Sequence, residues 1–334
     1  MPGNRVMVYD GPHQVHIEER DIPAPGPGEV QIRIAYTGIC GSDLHGYTGK
    51  SGRRIPGMVM GHEASGTVSG TGAGVDGRLV GRQVTFNPAL SCDGACGHGV
   101  ENHCAQLRVI GVDPAIQGAF ADYIVVPAHR VVALDGIDLR LGACIEPLAV
   151  AVQAVERARV EEGQRVLIVG GGMIGQCLAL VARARGAASV ALSEANPQRR
   201  AAAEAMGFET VAPDDVASHP MFDASFDAVG IDATAAATIG AVRKGGTVCF
   251  VGLGLPTISV PLFGIVVAER SVVGSFAYTD AAFDEARDML AGGSVDLAGT
   301  IGPDTDFGSV GDAFEDLAAS RRHDLKILMS TGGA

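Results

Sequence analysis

The residues best suited to chemistry in this chain are a cysteine, a histidine and acids set in short glycine-rich stretches. Cys40 lies in Gly38-Ile39-Cys40-Gly41-Ser42-Asp43-Leu44-His45, His62 and Glu63 follow in Gly61-His62-Glu63, and Glu146 stands in Cys144-Ile145-Glu146-Pro147. Thiolate, imidazole and carboxylate are the donors of a catalytic zinc, which takes three protein ligands and keeps a fourth position for water or substrate. Taken singly, Cys40 reads as a small buried apolar residue, and the His-Glu pair as surface or capping chemistry. The metal reading comes from the three together with a nucleotide loop downstream. Their spacing exceeds one helical turn, so the fold has to assemble them.

That loop follows Arg165-Val166-Leu167-Ile168-Val169, a continuous apolar run of the kind found in buried parallel strands. Gly170-Gly171-Gly172-Met173-Ile174-Gly175 comes next, then a helical stretch over 176–185 and a second strand over 189–194 that ends in Glu194. Strand, G-x-G-x-x-G, helix and a later acid form the dinucleotide fingerprint. Gly170 permits the turn, Gly172 lets the backbone approach a pyrophosphate, and Gly175 allows close helix–strand packing. Met173 and Ile174 complete the loop, and the pyrophosphate rests on the positive end of the helix. Glu194 would accept hydrogen bonds from the ribose hydroxyls and repel a 2′-phosphate, which favours NAD over NADP. Arg199 could pair with such a phosphate instead.

The elements that position these residues fall into two patterns. Residues 30–36 alternate apolar and polar as a half-buried strand. It delivers Cys40 on a loop turned by Gly38 and Gly41. Residues 64–81, 83–86 and 121–127 read as further short strands, giving a β-rich, barrel-like domain. Residues 143–159 are helical, with Glu146 near the start and Pro147 tolerated in the first turn. Beyond them, helices over 197–206 and 235–242 alternate with strands over 226–232, 247–252 and 271–275, a doubly wound parallel sheet. The tail offers helices over 280–290 and 312–319 and a strand over 326–329.

The 334 residues suffice for two domains with sizeable cores. A formal net charge of −13 argues against nucleic acid or an anionic membrane as partner. Apolar runs are too short to span a bilayer and no secretory leader is evident, so a cytoplasmic protein is expected. Seven cysteines, an odd number with metal-ligand spacing, favour reduced thiols over a disulfide frame.

Taken with the run Ile145-Glu146-Pro147-Leu148-Ala149-Val150-Ala151-Val152, the motifs around Cys40 and His62 resemble the zinc-dependent medium-chain dehydrogenases. Within them the chain is most similar to the polyol branch, of sorbitol and butanediol type. The resemblance spans nearly the whole chain. It implies an α/β chain with a GroES-like catalytic domain over 1–147 and 276–334 and a Rossmann domain over 148–275. It implies Zn2+ held by Cys40, His62 and Glu146 with Glu63 close by, although relatives leave open which carboxylate ligates directly. Asp43 would orient His62, and Ser42 and His45 would relay a proton to solvent. Hydride would pass between NAD and a secondary alcohol or ketone, a small molecule of diol, polyol or cyclic amino-polyol class.

Many relatives also close a structural zinc with four cysteines. Cys96 and Cys104 keep the last spacing of that motif and Cys92 is out of register, so a site completed by Asp93, His98 or His103 and a lobe without metal both stay open. Where sugar-alcohol dehydrogenases carry Arg-Tyr, this chain has Ala277-Tyr278, which removes donors suited to a polyol. Tyr47 and Tyr278 are pocket candidates by position. The loop after Asp232-Ala233-Thr234 is shorter than in relatives. A homodimer or homotetramer is implied. The rival readings are a zinc-free quinone or enone reductase on the same scaffold, threonine-type or amino-polyol oxidation, and a non-catalytic NAD-binding protein.

Overall fold

A computed structural model describes residues 3–92, 100–219 and 221–332. In chain order the elements are β1 (Asn4–Gly11), β2 (Gln14–Arg20), β3 (Glu29–Gly38), α1 (Gly41–Tyr47), β4 (Glu63–Thr71), β5 (Gln83–Phe86), β6 (Ala89–Leu90), β7 (Arg108–Val109), β8 (Tyr123–Pro127), β9 (Val131–Ala133), α2 (Leu139–Gly142) and α3 (Ile145–Ala158). They continue as β10 (Arg165–Val169), α4 (Met173–Ala184), β11 (Ser189–Ser193), α5 (Pro197–Ala205), β12 (Glu209–Val211), β13 (Phe222–Asp227), α6 (Asp232–Ala241), β14 (Val242–Phe250), α7 (Leu262–Val266), β15 (Ser271–Gly274), α8 (Asp280–Ala291), α9 (Val310–Ala318) and β16 (Leu328–Ser330).

Two compact units result, Met1–Glu146 with Ile301–Ala334, and Pro147–Thr300. In the first, an antiparallel sheet runs β16-β3-β4-β5-β9, with β8 also on β3. The period-two pattern of β3 turns Val30, Ile32 and Ile34 inward, where they meet Val68, Val84 and Phe86. A second core joins β1 to the tail: Phe314 of α9 packs edge-on against Phe120 at 5.6 Å and tilted against Tyr47 at 5.3 Å. The last segment of the chain thereby becomes structural, and β16 pairs with the end of β3 that leads to Cys40.

The second unit is a six-stranded sheet in the order β12-β11-β10-β13-β14-β15. Every pairing in it is parallel. The order reverses at β10, the switch point at which doubly wound sheets bind nucleotides. Several bounds differ from the sequence reading. β13 stops at Asp227, ahead of the strand expected over 226–232, because the Asp227 carboxylate accepts hydrogen bonds from the N–H groups of Val229 and Gly230, both at 2.8 Å. Gly230 then turns the chain at φ +80. The chain returns to the first unit at Ile301, later than the 276 expected from sequence. Residues 276–300 stay because Tyr278 and Phe283 are buried side by side, and Glu285 of α8 pairs with Arg185 at 2.6 Å. Among the described residues no helix is long and apolar enough to cross a membrane.

Candidate metal centre and nucleotide loop

Cys40 is the N-cap of α1. Its sulfur accepts from the Ser42 N–H at 3.5 Å, and the Asp43 carboxylate accepts from the Cys40 N–H at 3.2 Å, a reciprocal capping box. Cys40 therefore sits on a helix start rather than on the free loop expected from sequence. The box fixes the direction of its thiol. Neither Gly38 nor Gly41 has the positive φ that a sharp glycine turn would show.

His62 immediately precedes β4 and is buried. Its Nδ1 lies 3.6 Å from Asp43 Oδ1, an ion-pair distance beyond hydrogen bonding. The fully buried Asp43 is held in turn by Arg54, whose Nη2 is 3.3 Å away and whose Nη1 donates to the Val112 carbonyl at 3.2 Å. Arg54 has no place in the sequence reading. Burial lowers the His62 pKa, but the charges of Asp43, Cys40 and Glu146 outweigh it and push the imidazole up to about 10.

The thiol of Cys40, the imidazole of His62 and the carboxylate of Glu63 have their donor atoms within 4.8 Å of one another. Glu146 stands outside that trio, at the start of α3, close enough for its charge to act on His62. Glu63 Oε2 accepts from Lys326 Nζ, and the same ammonium donates to the Ile39 carbonyl at 3.0 Å. Both side chains of this pair are buried. Burial opposes the Lys326 charge, yet Glu63, Cys40 and Cys144 hold its pKa above the ordinary lysine value. Cys144 itself is pushed up to about 12, chiefly by burial, and is an unreactive thiol.

Ser42 is exposed in the first turn of α1, and His45 is half-buried in the last. Burial, then the charge of Lys50, holds the His45 pKa below its usual value. Tyr47, expected as a pocket residue, is packing: it is 3% exposed, meets His13 edge-on and Phe314 at a tilt, and donates to Glu315 at 3.2 Å. Tyr278 is buried against Phe283 in the second unit. In the cysteine lobe, Cys92 and Cys104 bring their sulfurs to 3.3 Å, although the sequence places Cys92 out of register. The β6–β7 pair delivers them. Cys96, Asp93 and His98 lie outside the described residues.

In the nucleotide loop, Gly170 has φ +102, and a Cβ on Gly175 would stand 1.8 Å from the Gly170 carbonyl, so α4 can only close on β10 without a side chain there. Gly172 is the N-cap of α4 with no side-chain cap, and a Cβ on it would meet nothing nearer than Arg199 Nη1 at 4.0 Å. The N–H groups at Met173 and Ile174 thus open a helix of 12 residues on clear space, the setting for an anion. α4 begins at Met173, three residues ahead of the helix expected. Glu194 accepts from the N–H groups of Gly171 and Asn196, both at 2.7 Å, so its carboxylate is fixed beside the loop. Asp227, unnoticed in the sequence, also accepts from the Thr234 hydroxyl at 2.9 Å. α6 starts directly at Asp232, which accounts for the short loop.

Residues 26–136 match the alcohol dehydrogenase GroES-like domain and residues 173–292 the zinc-binding dehydrogenase domain. The 2-dehydro-3-deoxy-L-galactonate 5-dehydrogenase of Pseudoalteromonas atlantica is 33% identical over 92% of this chain and 94% of its own length. The L-galactonate-5-dehydrogenase of Escherichia coli is 34% identical over 87% of this chain and 88% of its own. Among solved structures, an Escherichia coli protein described as a short chain alcohol dehydrogenase, complexed with cofactor NADH, superposes with a TM-score of 0.91 at 26% identity, covering 99% of this chain and 100% of that one.

Proposed function

The chain belongs to the zinc-binding dehydrogenase family, and we propose that it oxidises a secondary alcohol of a sugar acid or polyol with NAD as hydride acceptor, and catalyses the reverse reduction of the ketone. The observation that carries this reading is the meeting of the Cys40 sulfur, the buried His62 imidazole and a Glu63 carboxylate oxygen within 4.8 Å of one another. Such a donor set fits zinc, and Cys40, His62 and Glu63 would hold it, with Glu146 at the start of α3 alongside. A zinc ion supplies Lewis acidity, which lowers the pKa of an alcohol hydroxyl as it lowers that of water, from 15.7 to about 7 in carbonic anhydrase.

The protein's own residues do the rest. Asp43, anchored by Arg54, accepts from the Cys40 backbone N–H and faces the Nδ1 side of the His62 ring at 3.6 Å, where its charge acts on the imidazole. The Ser42 hydroxyl takes the proton leaving the alcohol. His45, held neutral by its lowered pKa, accepts it and releases it to solvent. In the second unit the N–H groups of Gly172, Met173 and Ile174 bind the pyrophosphate, and Glu194 accepts from the ribose hydroxyls. The charge of Glu194 disfavours a 2′-phosphate.

The galactonate dehydrogenases act, by their names, at position 5 of a sugar acid, which favours a hydroxyl-rich acid over an apolar alcohol. Self-association is supported by the outer strand β15 and the segments on either side of it: Leu253, Leu262, Phe263 and Val266 before the strand and Phe276 after it are exposed, Phe263 at 81%. A second copy adding its own β15 to that edge would cover them. Cytoplasmic placement suits a cysteine that has to stay reduced to bind metal. The test is NAD-linked turnover of zinc-loaded protein across sugar acids, polyols, diols and amino alcohols. Turnover on a hydroxylated acid or polyol that is lost on chelation supports the reading. No NAD-linked turnover anywhere in the panel refutes it.

A further inference from the structure

From Leu44 to Gly61 this acidic chain carries no acid, while it carries His45, Lys50, Arg53 and Arg54. Arg54 is committed to Asp43 and the Val112 carbonyl. Lys50 and Arg53 are exposed, and neither side chain has a hydrogen-bond or ion-pair partner among the described residues. The segment is nonetheless seated. Gly49 turns it at φ +75 against Pro12, where a Cβ would stand 2.9 Å from the proline Cγ, and Gly52 turns it again at φ +61. The Ser51 N–H donates to the His45 carbonyl at 3.1 Å, and the Arg53 N–H to the Ser51 hydroxyl at 3.3 Å. Lys50 is thereby folded back on the last turn of α1, and its charge acts on the His45 ring.

Cys40 caps α1, whose seven residues span about 10 Å at 1.5 Å per residue, so the free cations follow one short helix after the thiol of the donor trio. A small molecule with its alcohol at that trio and an oxyanion at its far end bridges such a gap. The chain's formal net charge of −13 repels an anion, and a fixed cation at the site offsets that repulsion. We propose that Lys50, with Arg53 three residues on, is a specificity-determining residue that binds a terminal oxyanion of the substrate, carboxylate or phosphate. This rests on the dehydrogenase reading above and names the side chain that makes an acid preferable to the neutral polyol of the same skeleton. An ammonium on a flexible stem brings three donors and follows an oxyanion as a point charge.

The test is the ratio of kcat/KM for an aldonate over the alditol of the same configuration, with an alditol phosphate as third substrate. The wild type is expected to favour an anionic substrate, and the two anions separate carboxylate from phosphate. Lys50→Met should cut the preference by about 10–100-fold, the loss of one hydrogen bond to a charged group, and through KM rather than kcat. Lys50→Arg should keep most of it, and Lys50→Glu should lower it further. Added salt should raise the wild-type KM for the anion and leave that for the alditol in place. A merely structural role would slow both substrates alike. An unchanged ratio in Lys50→Met therefore overturns the proposal, as does a wild type that prefers the alditol. Turnover of nothing in the panel sinks the dehydrogenase reading itself, a distinct failure.

Discussion

Arg54→Met removes the cation behind Asp43 while keeping most of the side-chain volume. Both partners are shut off from water, with side chains 2% and 0% exposed and 3.3 Å between Nη2 and Oδ1. At that distance the gross attraction is about 5 kcal/mol for an effective dielectric near 20. Breaking such a pair by removing one partner costs about 3–5 kcal/mol, because the surviving charge stays buried. At roughly 2–4 °C per kcal/mol for a unit of this size, the first unit should melt about 6–20 °C lower. Asp43 also faces Cys40 and His62, so bound zinc should fall in the same variant. Scanning calorimetry with metal analysis measures both. Adding Asp43→Asn should recover part of the loss, since no charge is then stranded. A cost below about 1 kcal/mol, typical of exposed pairs, would refute the argument.

Gly175→Ala forces a Cβ toward a carbonyl 1.8 Å away, so α4 has to shift and the NADH Kd should rise at least about 10-fold by fluorescence titration; an unchanged Kd would contradict the role given to this glycine. Glu194→Ala should cut the ratio of kcat/KM for NAD over NADP by about 10-fold or more, and a constant ratio would remove Glu194 from cofactor choice. Phe263→Glu places a charge in the exposed apolar segment and should leave monomers in light scattering; an oligomer of unchanged mass would move the interface elsewhere.

What could be read from the sequence was local. The Cys40 and His62 motifs, the apolar strand before Gly170 and the acid at Glu194 each announce themselves within a few residues, and the structure folds them as strand ends and helix starts. The missing parts depend on distance. Arg54 reaches Asp43 across 11 positions and Lys326 reaches Glu63 across 263, with no periodicity to link them. One signal existed: Lys326 is a lone charge in the apolar run Leu325-Lys326-Ile327-Leu328-Met329, where an unpaired ammonium would be costly. Gly38 reads as a turn residue, yet it stands in extended pairing and its small size serves the ion pair beside it. The 226–232 run looks like a strand because Phe226, Ala228, Val229 and Ile231 make it mostly apolar, and the Asp227 carboxylate and the positive φ of Gly230 end it early.

Counting the metal decides most directly whether Cys40, His62 and a carboxylate form one centre. Mass spectrometry of the purified protein should find zinc, and Cys40→Ala and His62→Ala should each lose one equivalent together with all NAD-linked turnover. Full turnover after exhaustive chelation, or variants that keep the zinc content of the wild type, would contradict the account.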